Sequence, residues 1–215
     1  VYQRLSDIYG PQDWWPAESP FEVIVGAILV QNTAWTNAER AIQNLRDADL
    51  LSVDRLYAVP LAELESLIRS AGYYRMKTRR LRNLLDHLFE HHEGSIDLFF
   101  ELDTATLREE LLSINGIGPE TADSILLYAA ERPVFVVDSY TNRVLKRHRW
   151  IEDDADYDVL QSHFHSHLES DVSLYNEFHA LIVRIGHLHC RKTPRCEECP
   201  LEQWIPEGGV CLPET

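Results

Sequence analysis

Two segments of helical periodicity meet at INGIGPETADSI, Ile114 to Ile125, with almost no chain to spare between them. The first is TATLREELLSI, Thr104 to Ile114, and the second is PETADSILLYAAE, Pro119 to Glu131. Leu112, Ile114 and Ile117 provide an apolar frame that would lock two helices around the turn. Gly116 and Gly118 permit positive φ and a close backbone approach that a Cβ would block. Pro119 suits the first helical position, where a missing N–H costs nothing. The amides around Gly118, Glu120 and Thr121 would then point out of a helix N-terminus, whose partial positive charge favours an anion such as a backbone phosphate. A glycine that ends one helix before an ordinary helix start is the plainer alternative.

The rest of the chain reads as helix too. PFEVIVGAILVQ (Pro20 to Gln31) is nearly all apolar and belongs in a core. Thr33 is placed to cap AWTNAERAIQNL, where Ala38, Ile42 and Leu45 recur at helical spacing. PLAELESLIRSAG starts with Pro60 and ends with Gly72, and KTRRLRNLLDHLFEHH runs from Lys77 to His92. After Asp138 come SYTNRVLKRH, DYDVLQSHFHSHLE and SLYNEFHALIVRIGHLHC. PVFVV, Pro133 to Val137, has no partner run and is expected as buried extended chain. The class is all-α, and 215 residues suffice for one large domain or two small ones. The opening VYQRLSDIYG lacks the basic-then-apolar layout of an export signal, and no apolar run approaches the ~18 residues of a membrane span. A cytoplasmic setting without a membrane partner is expected.

A formal net charge of −15 argues against a nucleic-acid partner. The positive charge is nevertheless clustered in RMKTRRLR (Arg75 to Arg82), RVLKRHR (Arg143 to Arg149) and RKTPR (Arg191 to Arg195). Each alone reads as a solvated face; together on one surface they would bind phosphates. Most of the ten histidines, among them His91, His92, His163, His165 and His167, read as surface helix residues. In DWWPAESPFE, Trp14 and Trp15 before Pro16 either pack the N-terminal arm or form an aromatic wall, which Trp35 could face. Four cysteines, Cys190, Cys196, Cys199 and Cys211, have the spacing C-x5-C-x2-C-x11-C. Clustered in a chain otherwise free of cysteine, they favour a metal over disulfides, with zinc as the generic choice.

LLSINGIGPETADSILLYA followed by RPVFVVDSYTNRV, with GAILVQNTAW before it and the late cysteines after it, resembles the endonuclease III superfamily of helix–hairpin–helix DNA glycosylases. The resemblance implies two helical lobes. One spans 21–132, with the hairpin at about 106–131; the other joins 1–20 to 133–189; 190–215 form a cysteine loop around a [4Fe–4S] cluster. Its last gap is longer than the family pattern, so Cys211 fits least well. The resemblance makes Asp138 the catalytic carboxylate, with capping of its helix as the bland alternative. Bifunctional members carry a lysine where Glu120 stands; a carboxylate forms no Schiff base, so no strand-nicking activity is expected. The resemblance assigns Glu120 no definite role of its own.

WWP…QNTAW together with GIGPETAD is similar to the 3-methyladenine DNA glycosylase III-like branch. That implies hydrolytic release of flipped-out alkylated purines, 3-methyladenine and with it 7-methylguanine, during base excision repair. A pocket of Trp14, Trp15, Pro16, Trp35 and His187 follows from it. Gln31 fills the vacated hole and Tyr73 wedges the opposite strand. The partner is double-stranded DNA with a damaged base, met by a monomer in a bacterial or archaeal nucleoid. Oxidised or mismatched bases, or DNA binding without catalysis, are the alternatives.

Overall fold

The computed structural model describes residues 1–210. Among the described residues all regular structure is helical, and no helix is long and apolar enough to cross a membrane. The chain divides into two compact units: Trp15–Arg132, and Val1–Trp14 with the chain from Pro133 onward.

The Trp15–Arg132 unit is built around one buried helix. After α1 (Tyr2–Tyr9), which belongs to the other unit, comes α2 (Pro20–Leu29). The Ser19 Oγ accepts the Glu22 N–H at 3.2 Å and Pro20 takes the first turn, so both start signals act together. Every residue from Phe21 to Leu29 is buried. Around α2 pack α3 (Trp35–Asp47), α6 (Tyr74–His92) and α9 (Pro119–Tyr128). Thr33 does not cap α3. Its Oγ1 accepts from the Asn37 side-chain Nδ2 at 3.2 Å, and Ala34 stands at the cap without a side-chain bond. Short α4 (Val53–Ala58), α5 (Leu61–Leu67) and α7 (Ile96–Phe100) fill the flanks, and α8 (Thr104–Ser113) lies against α9.

Lys77 corrects the reading of its basic island. It is 1% exposed, and its Nζ donates to the carbonyls of Leu29 (2.8 Å) and Ala71 (2.7 Å). Burial, with Arg80 adding to it, lowers its pKa to about 8. This lysine closes the C-terminal ends of two neighbouring segments and leaves phosphates to others.

In the second unit α10 (Ser139–Arg147) packs on α12 (Val172–Leu188), and α1 also lies on α12. α11 (Tyr157–His167) serves the extended run Pro133–Val137, whose Phe135 is fully buried. A buried extended chain must satisfy its backbone somewhere. Here side chains replace a partner strand. The Phe135 N–H donates to His165 Nε2 at 2.9 Å, and Gln161 donates to the Phe135 carbonyl at 2.8 Å. Asp103, Asp138, Asp156 and Asp171 each accept an amide at a helix start, so some of the acidic excess is capping.

Gly186 is the notch that lets α10 sit on α12. A Cβ there would lie 2.4 Å from Tyr140 Cδ1 and 2.9 Å from Tyr140 Cβ. Gly186→Ala should therefore cost about 1–3 kcal/mol, read as a lower denaturant midpoint at unchanged slope.

Candidate active site

The hairpin is held from behind by an ion pair. Arg108 of α8 forks onto Asp123 of α9, with Nε 2.7 Å from Oδ1 and Nη2 3.1 Å from Oδ2. Asp123 is fully buried, and the bidentate geometry fixes the helices against rotation. Ile114 and Ile117, each 4% exposed, plug the gap, and the Ile117 N–H closes the turn onto the Ile114 carbonyl at 3.0 Å.

The two glycines differ in kind. Gly116 has φ +102°, and a Cβ on it would meet Arg80 Cγ at 2.3 Å. Gly118 has φ −98° and ψ 178°, extended backbone open to any residue, and nothing lies within 4 Å of the place of its Cβ. Of the two, only Gly116 uses the positive φ and the close approach that glycine permits. Gly118 is the N-cap of α9, where no side chain caps the helix start; Glu120 is exposed in the first turn and Thr121 is buried behind it. Beside the turn a groove of about 340 Å³ is lined by Arg79, Arg80, Arg82, Asn83, Asn115 and Gly116, among others.

Gln31 is engaged with this hairpin. Its Nε2 donates to the Gly116 carbonyl (3.1 Å) and to Thr121 Oγ1 (2.8 Å), and Arg80 donates to its Oε1. Tyr73 is 66% exposed at the start of α6, in a left-handed conformation with φ 43°.

In the same unit Trp15 lies over Gly26, where a Cβ would come 2.9 Å from its Cζ2. The ring meets Trp35 edge to face at 5.2 Å and Tyr128 at 5.5 Å. Trp15 and Trp35 are therefore not parallel walls of a slot; the trio offers faces rather than a gap. Tyr128 escaped the sequence reading because ILLYAAE looks like any buried helix segment. Pro16 is exposed beside Trp15, and Trp14 is half-buried in the other unit.

Asp138 stands at the N-cap of α10, its Oδ1 accepting the Thr141 N–H at 2.7 Å. Its Oδ2 faces the buried ring of His179, 3.7 Å from Nε2, and the Asp138 side chain is 12% exposed. Burial acts to raise its pKa. His179, the Thr141 amide and the Thr141 hydroxyl outweigh burial, and the carboxyl is held below its ordinary value. Capping and an ionised carboxylate coexist in one residue. His179 was missed. Its signal was a single polar residue on the inward face of SLYNEFHALIVRIG. His187 is exposed on α12, its ring 4.7 Å from that of Tyr140.

Arg147 and the cysteine loop belong together. Arg147, 3% exposed, donates from Nη1 to the Arg191 carbonyl at about 2.5 Å and from Nη2 to the Lys192 carbonyl at 2.9 Å. The same Nη1 lies 3.4 Å from Cys190 Sγ. A second member of a basic island is thus internal. Cys190, Cys196 and Cys199 are unpaired by disulfides and half-buried. Burial, then mutual repulsion among the thiols, pushes Cys196 up; burial likewise pushes Cys199 up. Thiols near enough to hinder one another's ionisation, with a guanidinium beside Cys190, are donors of the chemical type a metal centre takes, and a bound metal would carry their charge. Cys211 lies outside the described residues.

A family model for HhH-GPD superfamily base excision DNA repair proteins matches residues 25–169. The protein named "Putative DNA repair glycosylase MJ1434" of Methanocaldococcus jannaschii is 47% identical over 205 residues, covering 95% of this chain and 93% of that one. Endonuclease III of Bacillus subtilis is 30% identical over 194 residues, 88% of this chain and 82% of its own. Among solved structures, the H. pylori 3-methyladenine DNA glycosylase MagIII bound to 1,N6-ethenoadenine superposes with a TM-score of 0.76 at 29% identity. That match covers 86% of this chain and 95% of the other. A trapped endonuclease III–DNA covalent intermediate shares the fold, with a TM-score of 0.82 at 24% identity over 96% of this chain and 93% of its own.

Proposed function

The chain belongs to the HhH-GPD superfamily of base excision DNA repair proteins and is a DNA glycosylase, and from that premise we propose that it hydrolyses the N-glycosidic bond of flipped-out alkylated purines, 3-methyladenine and with it 7-methylguanine, without cutting the strand. The observation that carries this reading is Asp138, a nearly buried carboxylate kept ionised by a helix N-terminus and His179. As the bond stretches, the sugar gains oxocarbenium character. A fixed negative charge stabilises it and orients or deprotonates the attacking water.

A purine alkylated at N3 or N7 is a cation and leaves readily without a general acid. Trp15, Trp35 and Tyr128 would bind it by its charge. Cation–π contact is worth about 2 kcal/mol when desolvated. Pro16, in the same unit, is a further pocket residue of this reading. The similarity to the H. pylori 3-methyladenine enzyme supports this substrate class. Gly118, with the amides of Glu120 and Thr121 beyond it, would seat a backbone phosphate. Gln31, to enter the helix, would give up its bonds to Gly116 and Thr121, while Tyr73 already projects. Cys190, Cys196, Cys199 and Cys211 would hold a [4Fe–4S] cluster, which when bound ties the loop RKTPR into one rigid piece. Iron and sulfide in the purified protein with broad visible absorption are expected; a colourless zinc protein would overturn the cluster.

Release of free base from a duplex with a single 3-methyladenine, compared with oxidised pyrimidine and mispaired adenine, tests the substrate class. The identity shared with the Bacillus subtilis endonuclease III favours neutral lesions as the second reading. Glu120 in place of an amine gives a separate prediction. Abasic duplex incubated with the protein and borohydride should yield no covalent adduct and no nick beyond background; a trapped complex would end the monofunctional reading.

A further inference from the structure

We infer that His87, His92 and Glu110 form a binding site for a divalent transition-metal ion of the zinc class, joining the end of α6 to the first helix of the hairpin. This inference does not depend on the substrate of the glycosylase. It rests on convergence. His87 Nε2 lies 3.1 Å and His92 Nε2 2.7 Å from the same atom, Oε2 of Glu110. The three donor atoms lie within 4.8 Å of one another. Two imidazole nitrogens and one carboxylate oxygen are a zinc-class donor set.

The local sequence explains how the donors meet. In DHLFEHHEG the histidines are the third, seventh and eighth positions after Leu84. α6 ends at His92, and Glu93 and Gly94 turn the chain with φ of 55° and 73°. The last imidazole is thereby held at the helix end instead of continuing around it. His92 packs on the ring of Phe99 at 4.7 Å, and His87 lies 5.8 Å from the same ring. Phe99 is fully buried, so it forms a dry floor that fixes both imidazoles before any ion arrives. His92 was read as a surface residue from the sequence; it is 9% exposed. The Glu110 side chain is 31% exposed, so it can draw back the few tenths of an ångström that bonds of about 2.0–2.2 Å require. His91, its ring 4.6 Å from that of His87 and exposed, or a water molecule, would complete a tetrahedron.

Without an ion, both imidazole N–H groups simply donate to one carboxylate oxygen. The test separates these states. Zinc is titrated calorimetrically into the purified holoprotein, with its cysteine loop as isolated, and the visible spectrum of Co²⁺ in the same site is recorded. Glu110→Gln keeps a carbonyl oxygen for the imidazole hydrogen bonds but is a poor metal ligand, and His87→Ala removes one donor, a side chain 15% exposed, with folding checked by circular dichroism. We expect one equivalent of zinc and a tetrahedral Co²⁺ spectrum in the parent protein. Affinity should fall at least about tenfold in both variants, with unchanged circular dichroism. Zinc uptake that is absent, or that survives both substitutions because the cysteines alone take the ion, would overturn the site. A rise in thermal midpoint with zinc in the parent but not in Glu110→Gln would place the ion between α6 and α8.

Discussion

Asp138→Asn should lower base release about a hundred- to a thousandfold while the protein stays folded and bound to DNA. The argument rests on the two jobs of this side chain. As a cap, asparagine serves as well as aspartate, so the bond from the Thr141 amide, 2.7 Å in the parent, persists and stability changes by no more than about 1 kcal/mol. As a charge, asparagine offers nothing to an oxocarbenium-like sugar. Single-turnover excision on an alkylated duplex reads the second job, and denaturant unfolding reads the first. Asp138→Asn retaining more than a tenth of parent activity would remove the residue from the mechanism. The acid limb of the parent profile follows from the same surroundings. The carboxyl is depressed below its ordinary 3.8, so Asp138 stays charged down through that value. Its contribution to stability is likewise complete above the unfolded pKa and is lost only as pH falls through the lower folded one.

How far such a site can be read from sequence depends on the range of the interactions. The turn at Gly116, the proline start of α9, the cap at Asp138 and the clustered cysteines are local, and each leaves a pattern within a few residues. The pairings that set the chemistry are not local. His179 faces Asp138 across about forty positions, and Glu110 collects His87 and His92 from another helix. Helical periodicity marks those residues only as inward or outward. It also misassigned charge. Lys77 and Arg147 look like solvated members of basic islands, yet each is buried, because a long cationic side chain can satisfy several backbone carbonyls, at helix ends for Lys77 and in the cysteine loop for Arg147, as readily as it can meet a phosphate. Trp15 and Trp35 were legible as an aromatic group but not in their edge-to-face geometry, which follows from the close approach that Gly26 permits.

The second large effect concerns the two hairpin glycines, which are indistinguishable in sequence. Gly116→Ala should cost stability, about 1–3 kcal/mol, because a φ of +102° is foreign to an L side chain and its Cβ would overlap Arg80. Gly118→Asp should do the reverse. Its backbone is already extended, its surroundings are open, and aspartate is a preferred N-cap, so stability should hold or rise. The same carboxylate would then occupy the amides that a phosphate needs and repel the phosphate as well. Losing a charge-assisted hydrogen bond costs about 1.5–3 kcal/mol, which converts to an affinity loss of about 10- to 100-fold for duplex DNA. Fluorescence anisotropy at fixed salt measures that loss, and a thermal melt measures stability. The two substitutions should thus separate folding from binding in opposite directions. If Gly118→Asp binds DNA as tightly as the parent, α9 does not present its N-terminus to the backbone, and the turn is a structural corner alone.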